Sequence, residues 1–141
     1  MSFTLDKILE ADIVFLGKLR LSRLYLMNNS NFPWLILIPE RENVSEIIDL
    51  TEKDREQLFK EICDISAVVK NVCAPDKLNV ANLGNVSPQL HVHVIARYRE
   101  DPCWPDPVWG RGKPKQPYTP DAQGLIISKL MPDLKPLFTK A

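Results

Sequence analysis

The chain contains two histidines, His91 and His93, set two residues apart in Gln89-Leu90-His91-Val92-His93-Val94-Ile95-Ala96-Arg97. On a strand, residues at i and i+2 project from the same face. The run therefore predicts Gln89, His91 and His93 side by side, with Leu90, Val92 and Val94 on the opposite, core-facing side. Directly before it lies Gly84-Asn85-Val86-Ser87-Pro88, a loop able to aim backbone N–H groups and the Ser87 hydroxyl at an anion. Two imidazoles beside a loop of donors suit phosphoryl chemistry. One ring attacks phosphorus, and the remaining donors take the charge on the phosphate oxygens. The same residues also fit a solvated sheet face reached through a plain turn, and strand geometry alone does not separate the two. A further reading is a metal site, because His-x-His on a strand is a common ligand pair and Glu100 or Asp101 offers a third ligand. Glu100 lies seven residues beyond His93, farther than such sites place the next ligand.

The elements that must carry these residues are legible from periodicity. Residues 4 to 11 read as a short helical start. Ile13-Val14-Phe15-Leu16 and Leu24-Tyr25-Leu26-Met27 read as an antiparallel hairpin around Gly17 and the polar stretch 18–23. Trp34-Leu35-Ile36-Leu37-Ile38 is apolar on both sides and reads as a central strand that stops at Pro39. From 51 to 74 the period changes: Leu58, Ile62, Ile65, Val69 and Val72 form one helical stripe, with Thr51 as cap and Pro75 as stop. Two more strands follow, at 78–83 and 89–97. The fold class is α+β: an approximately five-stranded, mainly antiparallel sheet with one long central helix. That helix contradicts the nearly all-strand folds that use a His-x-His metal pair.

After Arg97 the composition shifts, with eight of the twelve prolines and both Trp104 and Trp109 in the remainder. This predicts a domain over 1–100 and a Pro/Trp-rich C-terminal extension, 101–141, packed on it. The extension is expected to be extended, with a short helix near 121–131. Trp104 or Trp109 is expected at the mouth of the histidine site.

Composition narrows the functional classes. The chain has 141 residues, 45% hydrophobic and 26% charged, which is the make-up of one globular domain. Eighteen basic residues balance eighteen acidic ones, so there is no basic excess for coating nucleic acid. Three widely spaced cysteines, Cys63, Cys73 and Cys103, suggest neither a disulfide framework nor a zinc module. No signal peptide and no membrane span is expected, and a cytoplasmic location is the default.

The run Gln89-Leu90-His91-Val92-His93-Val94-Ile95 resembles the signature of the histidine triad family, His-φ-His-φ-His-φ-φ with φ apolar. The order of hairpin, strand ending Leu37-Ile38-Pro39, long helix and two closing strands is similar too, over residues 5 to 98. The resemblance implies a nucleotide-binding hydrolase or nucleotidyl transferase acting on an α-phosphate through a nucleotidyl-histidine intermediate. It implies His91 as nucleophile and His93 as a phosphate contact. It also implies Ser87 in the phosphate loop, Asn82 as an amide near phosphate, and Asn28 near the ribose hydroxyls. Homodimers joined through a continuous sheet are implied, and neither a metal nor another cofactor. Two positions depart from the pattern. Gln89 replaces the first histidine, and Trp34 stands where relatives often carry a further imidazole. With its tail, this pattern looks like a bacterial branch of the family. The departures leave open a catalytically weak or inactive nucleotide-binding module.

Overall fold

The computed structural model describes residues 3–110 and 114–140. Five strands, β1 (Ile13–Lys18), β2 (Ser22–Met27), β3 (Trp34–Pro39), β4 (Lys77–Ala81) and β5 (Val92–Arg97), form one sheet in the order β1-β2-β3-β5-β4. Every neighbouring pair is antiparallel. Three α-helices accompany it: α1 (Lys7–Glu10), α2 (Glu52–Cys73) and α3 (Pro120–Leu134). Among the described residues no helix is long and apolar enough to cross a membrane.

β3 lies in the middle of the sheet and is buried throughout because both of its faces are covered. Leu35 and Leu37 join Leu24, Leu26, Val94 and Ala96 against Ile65 and Val69 of α2 and Leu130 and Leu134 of α3. Trp34, Ile36 and Ile38 join Tyr25, Phe32 and Ile95 on the other face. The helices α2 and α3 therefore occupy one side of the sheet, and His93, in phase with Ile95, points to the other.

α2 starts where Thr51 Oγ1 accepts the Asp54 N–H at 3.1 Å, which satisfies one of the free donors of its first turn. Its end is Ala74 in the left-handed region (φ 46°), just before Pro75. Leu58, Ile65 and Val69 of the stripe are buried. The same side also buries Glu61, whose carboxylate accepts the N–H groups of Leu21 at 2.7 Å and Ser22 at 3.0 Å. These amides lie at the end of the β1–β2 turn and the start of β2, so the Glu61 carboxylate ties α2 to the hairpin there.

At the Lys18 end, the edge strand β1 meets the chain's own C-terminal residues. β1 bulges between Phe15 and Gly17, and the Phe138 ring fills the space over the glycine. A Cβ at position 17 would stand 2.5 Å from that ring. The Thr139 N–H then donates to the Lys18 carbonyl at 2.9 Å. The opposite edge strand, β4, pairs only with β5.

Three expected boundaries are corrected. The fifth strand starts at Val92, not at residue 89, because the backbone groups before it are engaged elsewhere. Leu90 N–H donates to the Val44 carbonyl, the Gln89 carbonyl faces the His91 ring, and the His91 carbonyl accepts from the Asn82 side chain. The fourth strand covers 77–81, leaving Asn82 and Leu83 outside. The tail helix is longer than expected: Thr119 caps it, Pro120 occupies its first position, and Pro132 sits exposed in its last turn, where one missing N–H disturbs little.

Candidate functional site

The two histidines come together on the sheet face away from α2. Their ring centroids are 4.9 Å apart at an interplanar angle of 77°. Both are buried, and both line a cavity of about 290 Å³ together with Ser87, Gly84 and Trp109. Wider depressions exist, one of them at the start of α2 between Arg20, Arg41, Lys53 and Lys60. That depression contains no imidazole, and chemistry rather than volume selects the site.

Hydrogen bonds give the two rings opposite tautomers. His91 Nδ1 lies 2.7 Å from the Gln89 carbonyl oxygen. A carbonyl only accepts, so Nδ1 carries the proton and Nε2 of the neutral ring keeps its lone pair. At His93 the order is reversed: the Trp34 indole Nε1–H donates to Nδ1 at 3.0 Å. An indole N–H only donates, so His93 Nδ1 holds the lone pair and Nε2 holds the proton. Burial, with a smaller contribution from His91, lowers the His93 pKa from its ordinary 6.5 to about 3.

This depression carries a prediction for acid stability. Unfolded His93 takes up its proton near 6.5, whereas the folded ring does so only near about 3. The stabilisation is complete above 6.5 and is lost as the pH falls through this window, at up to about 1.4 kcal/mol per pH unit. Urea unfolding midpoints measured from about pH 7 to about pH 5 should decline in the native chain, and the slope should flatten in His93→Asn. Parallel slopes for the two proteins would contradict the assignment.

The loop before the histidines turns at Gly84, whose φ of +87° favours glycine. Ser87 Oγ donates to Asp6 Oδ2, and Asp6 Oδ1 accepts the Ile8 N–H at 3.0 Å. The Ser87 bond first, then the Ile8 bond, keeps the Asp6 pKa below the usual carboxylate value. Gln89 serves the same N-terminal segment. Its Oε1 accepts the Asp6 N–H and its Nε2 donates to the Thr4 carbonyl, both at 2.9 Å. The two departures from the triad pattern thus have separate partners: Gln89 ties down the N-terminal wall, and Trp34 bonds to the third motif position.

Not every expected residue reaches the cavity. His91, His93 and Ser87 line it, while Gln89, Asn82 and Asn28 do not. Asn82 Nδ2 donates to the His91 carbonyl at 2.9 Å, continuing the β4–β5 ladder by one side-chain bond. Asn28 Oδ1 accepts the Tyr118 N–H at 2.9 Å and so fastens the C-terminal segment. The cavity wall also includes Leu9, Asp12 and Met27. These were missed because they come from the N-terminal start and the hairpin, far in sequence from the histidines. Asp12 is paired with Lys115 at the rim.

Of the two tail tryptophans, Trp109 stands at the site, with its ring centroid 4.9 Å from His93 and 5.6 Å from Trp34. Trp104 lies instead over the Arg97 guanidinium, 5.9 Å from its ring centroid. Asp101, offered above as a metal ligand, is committed to Arg97 and to the N–H groups of Tyr98, Cys103 and Trp104. Among the described residues no three His, Cys, Asp or Glu side chains converge as a ligand set.

Comparison with known proteins bears on the family and the fold. A family model described as HIT domain matches residues 9–100. A histidine triad protein from Marinobacter aquaeolei VT8 is 42% identical, over 97% of this chain and 99% of its own, with a TM-score of 0.92. One from Bradyrhizobium japonicum is 40% identical over 94% and 98%, with a TM-score of 0.91. One from Sinorhizobium meliloti 1021 is 42% identical over 94% and 97%, with a TM-score of 0.89. A search of curated proteins finds no match.

Proposed function

Because the chain belongs to the histidine triad (HIT) family, whose fold supports nucleotide-binding hydrolase or transferase activity in general, we propose that it cleaves a nucleotide conjugate at the α-phosphate through a covalent intermediate on His91. The observation that carries this reading is the bond from His91 Nδ1 to the Gln89 carbonyl, which leaves Nε2 with a lone pair on a cavity-lining ring.

In the first step, Nε2 bonds to the α-phosphorus while the bond to the leaving group breaks. The leaving group takes the electron pair and picks up a proton from water. The ring becomes cationic, and the Gln89 carbonyl is already placed to accept from its Nδ1–H. His93 offers Nε2–H to a phosphoryl oxygen. Loop amides beside Gly84 contribute further donors. In the second step, water attacks phosphorus, the P–Nε2 bond breaks, the ring recovers its lone pair, and the water proton leaves to solvent.

The test is a substrate labelled and chiral at the α-phosphorus, chosen by screening nucleoside phosphoramidates, dinucleoside polyphosphates and sugar nucleotides. Rapid quench should trap label on the protein, and two successive inversions should give net retention. Net inversion would mean direct attack by water and would overturn the reading. A non-catalytic binding module is favoured by one observation: Gln89, in place of the first motif histidine, spends its side chain on Asp6 and Thr4. Tight binding of a monophosphate with no product from any conjugate would establish it.

We further propose that two copies pair through β4. At β1 the chain's own tail already sits on the Lys18 end, with Thr139 bonded to Lys18 and Phe138 over Gly17, whereas β4 has a strand on one side and exposes Val80. An open edge of this kind is a template for another strand. Light scattering at micromolar concentration should report twice the 16.1 kDa chain mass. A species of 16.1 kDa alone would refute the pairing.

A further inference from the structure

We propose that Trp34 is a positioning residue for the reaction: its indole N–H holds His93 in the Nε2–H form, so that this ring always presents a donor to the phosphate and does not compete with His91 as nucleophile. This rests on the reading of His93 as a phosphate contact. Proton placement decides which ring attacks and which donates. A neutral imidazole has one proton and two nitrogens, and two imidazoles whose centroids are 4.9 Å apart can divide the roles of attacker and donor in either sense. The fold removes that freedom with two partners of fixed character. A carbonyl, which can only accept, faces His91 Nδ1. An indole N–H, which can only donate, faces His93 Nδ1.

The surroundings make the indole bond persistent. Trp34 and His93 are each only 5% exposed. Trp34 sits on β3, where it pairs with Ile95 across the sheet, while His93 pairs with Ile36. The two side chains are thus neighbours on one sheet face, and their rings meet edge-on at 5.6 Å and 65°. Trp109 packs against both rings, which restricts ring rotation at His93. The groups near this pair that titrate are His91 and, along the cavity wall and its loop, Asp12 and Asp6. Trp34 does not titrate, so its bond keeps the same sense across the working pH range. An imidazole at position 34 would act either as donor or as acceptor, and would itself need fixing.

The test uses protein labelled with ¹⁵N in histidine and tryptophan. With two histidines and three tryptophans, only four imidazole and three indole nitrogens are seen. In the native chain, without substrate, His93 should show a protonated Nε2 and a bare Nδ1, with a coupling across the hydrogen bond between Nδ1 and the Trp34 indole nitrogen. Trp34→Phe keeps an aromatic ring but has no donor. It should lose the coupling, move the His93 Nδ1 resonance and mix the tautomers. It should also reduce kcat at least about tenfold with a smaller change in KM, as expected when a catalytic imidazole is held in the wrong tautomer. A protonated Nδ1 on native His93, a missing coupling, or unchanged kcat in a folded Trp34→Phe would each overturn the proposal. The native-chain measurement needs neither a folded variant nor turnover. Failure to trap label on the native protein would instead count against the covalent reading of His91.

Discussion

His91→Ala is expected to reduce kcat by at least about 10⁴-fold, with monophosphate affinity changed only a few-fold. The asymmetry follows from what each group does. Removing the His91 ring deletes the only lone pair assigned to attack, and with it the covalent path. The ground-state contacts remain, because His93 and the loop around Gly84 stay where the sheet and the loop put them. His93→Ala should behave differently, lowering affinity and rate together, because on the proposed mechanism its N–H bonds the phosphate in both ground and transition states. Steady-state kinetics and monophosphate titration of the two variants separate these patterns. Turnover close to native in His91→Ala would show that the nucleophile lies elsewhere.

The second large effect concerns stability. Asp101→Ala is expected to destabilise the fold by about 3–5 kcal/mol, the range for stranding one partner of a buried ion pair. Both side chains of the Arg97–Asp101 pair are only 2% exposed. Burial on its own would raise the Asp101 pKa, but Arg97 and three backbone N–H donors bring it down to about 2. Arg97 also donates to Asn79 Oδ1 at 2.7 Å and to the Asp106 carbonyl at 2.8 Å. The pair therefore holds the turn after β5 that delivers Trp109 to His93. Urea unfolding should show the loss, and tryptophan fluorescence of the still-folded variant should report a changed Trp109 environment. Arg97→Met combined with Asp101→Leu should recover part of the stability, since neither charge is then left alone. A loss below about 1 kcal/mol in Asp101→Ala would mean that water reaches Arg97 and replaces the carboxylate.

What could be read from the sequence was what repeats. The α2 stripe, its Thr51 cap and the doubly buried β3 each leave a local pattern, and all three fall where periodicity puts them. Leu90, Val92 and Val94 do face the core. The alternation from 89 to 97 nevertheless overstated the strand, because alternation records side-chain direction and not whether a ladder partner exists. The prolines misled in the other direction: Pro120 and Pro132 sit at the two ends of α3, where a helix tolerates them. At the site, the pair of histidines and Ser87 were legible from spacing, and Trp34 was singled out as a departure. Its bond to His93 was not, since nothing in the sequence pairs residues 59 positions apart. Asp6 against Ser87, and Glu61 against the hairpin turn, were hidden for the same reason. A polar side chain on an apolar stripe gives no local sign of the distant amides it serves.

The missing side chain at position 17 has a consequence for how copies of this protein associate. With Phe138 seated over Gly17 and Thr139 bonded to Lys18, one border of the sheet is occupied at its Lys18 end, and the proposed pairing through the other border would be two-fold and finished once made. A larger residue at 17 would push the Phe138 ring aside, and the neighbouring bond from Thr139 to Lys18 would lose its anchor. Each copy would have two borders able to accept a strand. Association would no longer terminate at a pair but could continue copy after copy in one direction. On the proposed pairing, a single methyl group at Gly17, remote from both histidines, would free the Lys18 end of the second border.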